Sequence, residues 1–268
     1  MTAAQRRDGA AVTIIAEELV STNPPRFELA AWRRDLGLTA GITGRGSEPG
    51  RGFDLGLWSE APVGGVMGRW QRFRRSVPGF PGVALGHQVH GVEVMTVGPS
   101  RGWLQVEGID GWVTAAPGVL LTVTIADCIP VYLSVPGKGV ALLHAGWRGT
   151  AAGILARGAE RLIQATGADW ADIVMHCGVG ICGSCYEVGS EVIAGCGLSA
   201  DGGGPWHLDL RETLAEQAAR IGIRQVTRSP HCSAHDRPTF YSHRASRGAD
   251  GRMVAYLGIP IDSSALSD

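Results

Sequence analysis

An excess of charge of either sign is missing from this chain. Its 24 Lys and Arg stand against 25 Asp and Glu, a net charge of -1 over 268 residues. That balance gives no basic field to attract nucleic acid or an acidic membrane surface. Long apolar runs are missing too. The best candidate, residues 119–135, is interrupted by Asp127 and Pro130 and is excluded as a membrane span. The N-terminal stretch MTAAQRRDGAAVTIIAEELV has two arginines, but its apolar part is brief, and Glu17 and Glu18 break it. No secretory leader is read there, so the expected compartment is the reducing cytoplasm. The six cysteines are clustered, which argues against a disulfide-stapled scaffold in a chain of this length. No internal repeat and no linker of shifted composition divides the sequence.

Hydrophobic residues make up 44% and charged residues 18%, enough to build a sizeable buried core. The 40 glycines promise many turns and close backbone approaches. Helical spacing predicts helices over residues 28–36, 63–77 (Val66, Trp70, Phe73), 151–165 and 208–221, and opens a short one in 187–194. Strand patterns fall at 11–15, 82–97 (two strands about His90-Gly91), 112–114, 119–135, 139–143, 172–176, 225–228 and 253–259. Residues 1–30 read as a variable lead-in and 31–262 as a single domain. Strands mixed with helices without a strict β-α-β rhythm favour an α+β fold.

The chemistry concentrates between Gly86 and Thr150. Three apolar, β-branched runs there each carry a soft or borderline metal ligand: His90, Cys128 and His144. Two imidazoles and a thiolate suit a zinc-like ion, and three protein ligands leave a position open. His87 and His90 are three apart and point to opposite faces of a strand, so His87 is read as a supporting or structural histidine. Lone histidines at strand ends and buried cysteines are most often only structural. Asp127 shifts that balance, because a carboxylate in an apolar run is costly unless it orients a ligand or meets a cation. It is also the candidate general base. After His144, the turn Ala145–Gly149 leads to Thr150, read as the N-cap of the next helix, with Arg148 beside it as an anion site. Cys182-Gly-Ser-Cys185, with His176 and Cys177 nearby, has the C-x-x-C spacing of structural zinc or redox sites. No second C-x-x-C pair completes it, so the stretch is read as a glycine- and cysteine-rich wall loop. Near the C-terminus, Ser242, Arg244 and Arg252 cluster with Phe240 and Tyr241, a combination suited to stacking on a base while holding phosphate.

In order along the chain stand QVHG (88–91), ADCIP (126–130), HAGWRGT (144–150), CGSCYEVG (182–189) and FYSHR (240–244) followed by Gly251-Arg252. Together they resemble the bacterial laccase-domain family, also called multicopper polyphenol oxidase-like proteins, over roughly residues 41–259. The resemblance implies an α+β, cysteine-hydrolase-like fold of mixed sheets flanked by helices. It implies a zinc site of His90, Cys128 and His144, with copper as an alternative occupant, and adds Arg45 to the substrate and phosphate residues Arg148, Ser242, Arg244 and Arg252. Several members of that family are regarded as purine nucleoside phosphorylases that also act on methylthioadenosine and deaminate adenosine. Departures from the family pattern are Asp54 for asparagine, Trp58 for histidine and Ser184 for cysteine.

The leading expectation is therefore a zinc-dependent purine nucleoside enzyme using Asp127, Cys128 and His144. Its partners would be purine nucleosides and phosphate, without nucleic acid or membrane, in a monomer or small homo-oligomer. A copper polyphenol oxidase is the first rival. Linked type-1 and trinuclear copper sites need histidines in H-x-H pairs, and none of the eight histidines forms one. A Cys–His hydrolase or deamidase using Cys128 and His144 is another rival, and a non-catalytic zinc-binding module is the last. The zinc nucleobase-deaminase signature, H-x-E with P-C-x-x-C, is absent.

Overall fold

Alternation within two adjacent strands sets the layering. In Val119–Ile125, residues Leu121, Val123 and Ile125 turn one way and Leu120 the other. In Ile129–Val135, Val131, Leu133 and Val135 face away from Tyr132. Strands buried on both faces read as continuous apolar runs, and such runs need cover on each side. The computed structural model, which describes residues 12–48, 50, 52–59 and 61–261, supplies that cover with two seven-stranded sheets packed face to face and helices outside both.

The first sheet runs in the order Thr13–Ile14, Gln225–Arg228, Val174–Cys177, Ile129–Val135, Gly139–Ala145, Gly111–Thr114, Val94–Thr96. The second runs Glu18–Val20, Arg26–Glu28, Thr39–Thr43, Met253–Gly258, Val119–Ile125, Gly82–His87, Gly102–Glu107. Both mix parallel and antiparallel pairs. Between them lies one core of Ile42, Leu121, Val123, Tyr132, Leu142 and Leu257 with their neighbours. Helices Ile154–Thr166 and Leu210–Ile221 cover the outer face of the first sheet with Leu155, Leu162, Leu214 and Ala218. Gly158 is required there by close approach, since a Cβ on it would lie 2.5 Å from Leu143 Cδ2. Helix Val63–Ser76 covers the second sheet with Val66, Trp70 and Phe73, and Trp70 Nε1 donates to Leu55 O at 2.9 Å.

Two elements differ from the sequence expectation in a way that makes the site. The strands flanking His90-Gly91 do not pair with each other, because Gly82–His87 belongs to the second sheet and Val94–Thr96 to the first. The run over 119–135 likewise changes sheets at residues 126–128. At each crossing a non-glycine residue takes a left-handed backbone, His90 at φ 61° and Asp127 at φ 84°. Such conformations persist only where surrounding bonds hold them, and they cluster at functional positions.

Segment 12–28 contributes three short strands, split between the two sheets. Its anchor is Glu17, buried, which accepts hydrogen bonds from Ser229 Oγ at 2.5 Å and His176 Nε2 at 3.2 Å. Burial pushes the Glu17 carboxyl up, but the hydrogen bond and charge of His176 and the Ser229 hydroxyl outweigh it and hold the group below its ordinary value. A depressed carboxyl contributes stability that is complete above its unfolded pKa, about 4.3, and is lost as pH falls through the folded value. Glu17→Gln is therefore expected to cost on the order of 1–3 kcal/mol near pH 7. Melting curves of both proteins from pH 7 to pH 3 check this: the gap in Tm should begin to narrow as pH falls below about 4.3, and a constant gap would refute the charge-based role.

Candidate metal centre

His90, Cys128 and His144 meet where the chain crosses between sheets. One ligand atom from each lies within 4.8 Å of the others, and the two imidazole rings are 4.9 Å apart at 73°. His144 is the penultimate residue of strand Gly139–Ala145, in register with Pro130. Cys128 ends the crossing just before Ile129–Val135.

Asp110, at the head of strand Gly111–Thr114, organises the group. Its Oδ2 accepts the amides of Val89 (3.1 Å) and Gly91 (2.7 Å), and its Oδ1 accepts the His90 amide at 3.0 Å. That same Oδ1 accepts His144 Nδ1–H at 2.8 Å. Holding Nδ1 as a donor directs His144 Nε2 into the centre, the arrangement of a carboxylate-backed metal histidine. Burial would pull the His144 imidazole down, yet the Cys128 charge and the Asp110 bond raise it to about 9. Burial would push the Cys128 thiol up, yet the His144 charge and hydrogen bonds from both histidines lower it to about 6. The metal-free centre is thus a thiolate beside an imidazolium, and a divalent ion would replace the Nε2 proton. Gly146 leaves the centre its open side, since a Cβ there would lie 3.0 Å from both Cys128 Sγ and His90 Cδ2. Two imidazole nitrogens, one of them on the carboxylate-braced His144, and one thiolate fit a zinc-type ion with a fourth coordination direction left open.

Asp127 has both carboxylate oxygens engaged: Oδ1 accepts Ser233 Oγ and Oδ2 the Arg244 amide, each at 2.6 Å. The centre opens into a cleft of about 1050 Å³. Its walls include Trp58, which stacks on His87 at 4.4 Å and 12°, and Tyr186 and Trp147 with the guanidinium groups of Arg244 and Arg148 over their rings. Arg244 Nη1 also donates to Glu187 O at 2.6 Å, and Arg252 Nη1 donates to the carbonyls of Asp250 and Gly251.

Of the substrate residues expected from sequence, Arg148, Arg244 and Arg252 line the cleft. Arg45 and Ser242 sit behind it: Arg45 pairs with Asp250 at 2.9 Å, and the Ser242 amide donates to the same carboxylate. Ser242 is buried, and its hydroxyl accepts the Ala245 amide, so it braces the loop rather than facing a ligand. Thr150 is not an N-cap. It lies inside the five-residue helix Trp147–Ala151, whose N-cap is Gly146, and the longer helix behind it starts after Gly153. Its side-chain oxygen has no hydrogen-bond partner among the described residues. So short a helix carries no anion site of its own, and the arginines must supply that charge. The buried Asp54 turns inward: its Oδ1 accepts the amides of Gly56 and Arg252, each at 2.8 Å. Sequence reading missed Asp110 and Ser233. The signal for Asp110 was present in Gly108-Ile-Asp-Gly-Trp112, a lone carboxylate among apolar residues, the same argument that singled out Asp127. Nothing local marked Ser233.

A family model described as multi-copper polyphenol oxidoreductase laccase matches residues 36–260. The chain belongs to that family. A protein from Deinococcus radiodurans named purine nucleoside phosphorylase is 39% identical over 183 residues, covering 65% of this chain and 69% of its own length. Purine nucleoside phosphorylase YlmD from Geobacillus stearothermophilus is 35% identical over 191 residues, covering 64% of this chain and 70% of its own. The crystal structure of YlmD from that organism aligns at a TM-score of 0.80 with 27% identity, covering 90% of this chain and 98% of that one. The Bacillus licheniformis protein YfiH also aligns at 0.80, with 25% identity, over 90% of this chain and 99% of its own. The α+β fold expected from sequence is the fold of these laccase-domain structures.

Removing the Asp110 charge tests the centre's bracing. Asp110→Asn is expected to weaken zinc binding by roughly 10–100-fold, the usual effect of losing a partner that orients a ligand histidine. Competition with a chromophoric chelator reads this directly, and an unchanged affinity would show that Asp110 does not position His144.

Proposed function

We propose that this chain is a zinc-dependent purine nucleoside enzyme that phosphorolyses adenosine, inosine, guanosine and methylthioadenosine and deaminates adenosine to inosine. The observation that carries the reading is the His90–Cys128–His144 centre at the floor of a cleft walled by both arginines and aromatic rings. Flat aromatic faces suit a purine, and forked guanidinium groups suit phosphate. Relatives named purine nucleoside phosphorylase support it.

In phosphorolysis an oxygen of phosphate bonds to ribose C1′ as the C1′–N9 bond breaks and the purine departs with the electron pair. Arg148, Arg244 and Arg252 would gather the phosphate charge on one side of the cleft, while Trp58, Tyr186 and Trp147 give the base apolar surface. In deamination water adds at C6 of adenosine and ammonia leaves. Asp127, beside Cys128 and held by Ser233 and Arg244, would carry a proton from the attacking water to the departing amine. A zinc ion held by His90, Cys128 and His144 would supply Lewis acidity and make hydroxide accessible near neutral pH. The ligating clusters among the described residues hold two histidines and one histidine, which supports single-ion chemistry over a trinuclear copper oxidase.

One observation favours a second reading. Cys128 lies beside His144, whose Nδ1 is held by the Asp110 carboxylate at 2.8 Å, the nucleophile–base–carboxylate order of a cysteine hydrolase. Metal removal separates the two. Incubation of the zinc-loaded protein with adenosine, inosine, guanosine and methylthioadenosine, with and without phosphate, should yield free bases only with phosphate, and inosine from adenosine without it. Chelation or Cys128→Ala should abolish both, whereas a cysteine hydrolase would keep its activity on chelation. Arg244→Ala is expected to raise the KM for phosphate roughly 10–100-fold, the loss of one charge-assisted contact. Absence of turnover on every nucleoside, with one zinc bound at the centre, would overturn the proposal.

A further inference from the structure

A second cluster of ligating side chains lies on the far side of Asp127 and shares no residue with the first. Cys182, Cys185, Cys232 and His235 each direct one ligand atom to a common point, with all four atoms within 4.8 Å of one another. His235 Nδ1 is 3.6 Å from Cys182 Sγ, and its Nε2 is 3.1 Å from Cys185 Sγ. The Cys182 amide donates to Cys232 Sγ at 3.3 Å. A tetrahedral zinc with Zn–S near 2.3 Å and Zn–N near 2.0 Å would set neighbouring ligand atoms roughly 3.5–3.8 Å apart, and four atoms already within 4.8 Å of one another reach that spacing by a small contraction, with one of the two His235 nitrogens as the ligand.

We propose that Cys182, Cys185, Cys232 and His235 form a second metal site, a closed four-ligand site that takes zinc and has a structural role. Two short motifs build it. Cys182-x-x-Cys185 supplies one pair, and Cys232-x-x-His235 supplies the other. Paired ligands two residues apart are the usual construction of structural zinc sites, because a single turn can then present both to one ion. Both turns are held before any ion arrives. The amides of Cys185 and Tyr186 donate to Cys182 O at 3.1 and 3.0 Å, and the Asp236 amide donates to Cys232 O at 2.8 Å. A bridge between Gly180 and Cys232, with the Ser233 amide donating to Gly180 O at 3.0 Å, sets the two turns side by side. Cys232 is buried, Cys182 and Cys185 are half-buried and His235 is exposed, which leaves an entry path at the surface.

The site differs in kind from the centre in the cleft. Four protein ligands complete the coordination of the ion and leave no position for substrate. What it would clamp is the cleft wall. Ile181 donates its amide to Asp127 O at 2.9 Å, Ser233 Oγ reaches Asp127 Oδ1, and Tyr186 follows Cys185 directly into the cleft. An ion tying Cys182 and Cys185 to Cys232 and His235 would lock these contacts together. The inference stands independently of which substrate the cleft accepts.

Zinc content of the full chain, purified under thiol reductant, saturated with zinc and passed over a weak chelating resin, tests it. Two equivalents per chain are expected for the unaltered protein, one for Cys185→Ser/His235→Ala, and one for Cys128→Ala. Should the paired variant fail to fold, alkylation of the unaltered protein with iodoacetamide, mapped by mass spectrometry, answers the same question. Zinc should slow modification of Cys182, Cys185 and Cys232 by at least roughly tenfold, and chelation should restore it, as ligation removes the free thiolate. A single equivalent in the unaltered protein, with Cys182 and Cys185 alkylated equally fast with and without zinc, would overturn the proposal. So would a Cys182–Cys185 disulfide persisting in the zinc-saturated, reduced protein.

Discussion

Three backbone amides and one imidazole converge on the carboxylate of Asp110, and the shape of the candidate site depends on that convergence. The chain between Gly82–His87 and Val94–Thr96 must leave one sheet and enter the other within a few residues. A crossing so tight strands its amides away from any ladder, and unpaired buried amides are costly. Asp110 answers all three and in doing so fixes His90 in its left-handed conformation. The same carboxylate then selects which nitrogen of His144 faces the thiol. One carboxylate therefore serves both as a backbone splint and as the brace of His144 in a cluster that could hold a metal.

Much of the fold was legible in the sequence because burial writes itself into periodicity. The strand at 225–228 and the helices starting near 63 and 210 follow from regular apolar spacing. What periodicity does not encode is the sheet to which a strand belongs. An apolar run of the 119–135 type looks like a strand with a defect at Asp127-Cys128, when the defect is the crossing itself. The convergence of His90, Cys128 and His144 was readable because each ends or interrupts such a run. Asp110 carried the same signal as Asp127, a lone carboxylate among apolar residues, but the amides it serves lie about 20 positions away and nothing local names them. Ser242 was assigned to substrate from its place among Arg244 and Arg252, and Arg45 from the family resemblance, and neither reveals that both bind Asp250 behind the cleft. Cys232 and His235 escaped notice because their partners lie 50 residues away and are joined to them through tertiary contacts, the Gly180–Cys232 bridge and the Cys182 amide on Cys232 Sγ.

The departures from the family pattern take on a physical meaning once placed. Asp54 is buried with one oxygen bound to two amides and the other without a hydrogen-bond partner among the described residues. Where the family resemblance leads one to expect asparagine, this chain keeps the acceptor that holds the two amides and leaves the second oxygen of the side chain without a partner among the described residues. Trp58, where the family resemblance leads one to expect histidine, presents a wide apolar face stacked on His87 at the cleft mouth. An indole there gives a flat ligand more surface than an imidazole would.

Asp127 joins the two ligand clusters. Its main chain precedes Cys128 and accepts Ile181 from the cysteine-rich loop, while its side chain is held by Ser233, the neighbour of Cys232. The strain of its φ of 84° is thus borne by contacts from the loops that carry Cys182, Cys185, Cys232 and His235. If those loops relaxed, the amide and hydroxyl that hold the carboxylate would move first, and Cys128 would lose the backbone turn that aims its sulfur. An open centre needs a rigid support that takes no part in the reaction. In this fold that support comes from Asp110 on one side of the thiol and from the cysteine-rich loops on the other.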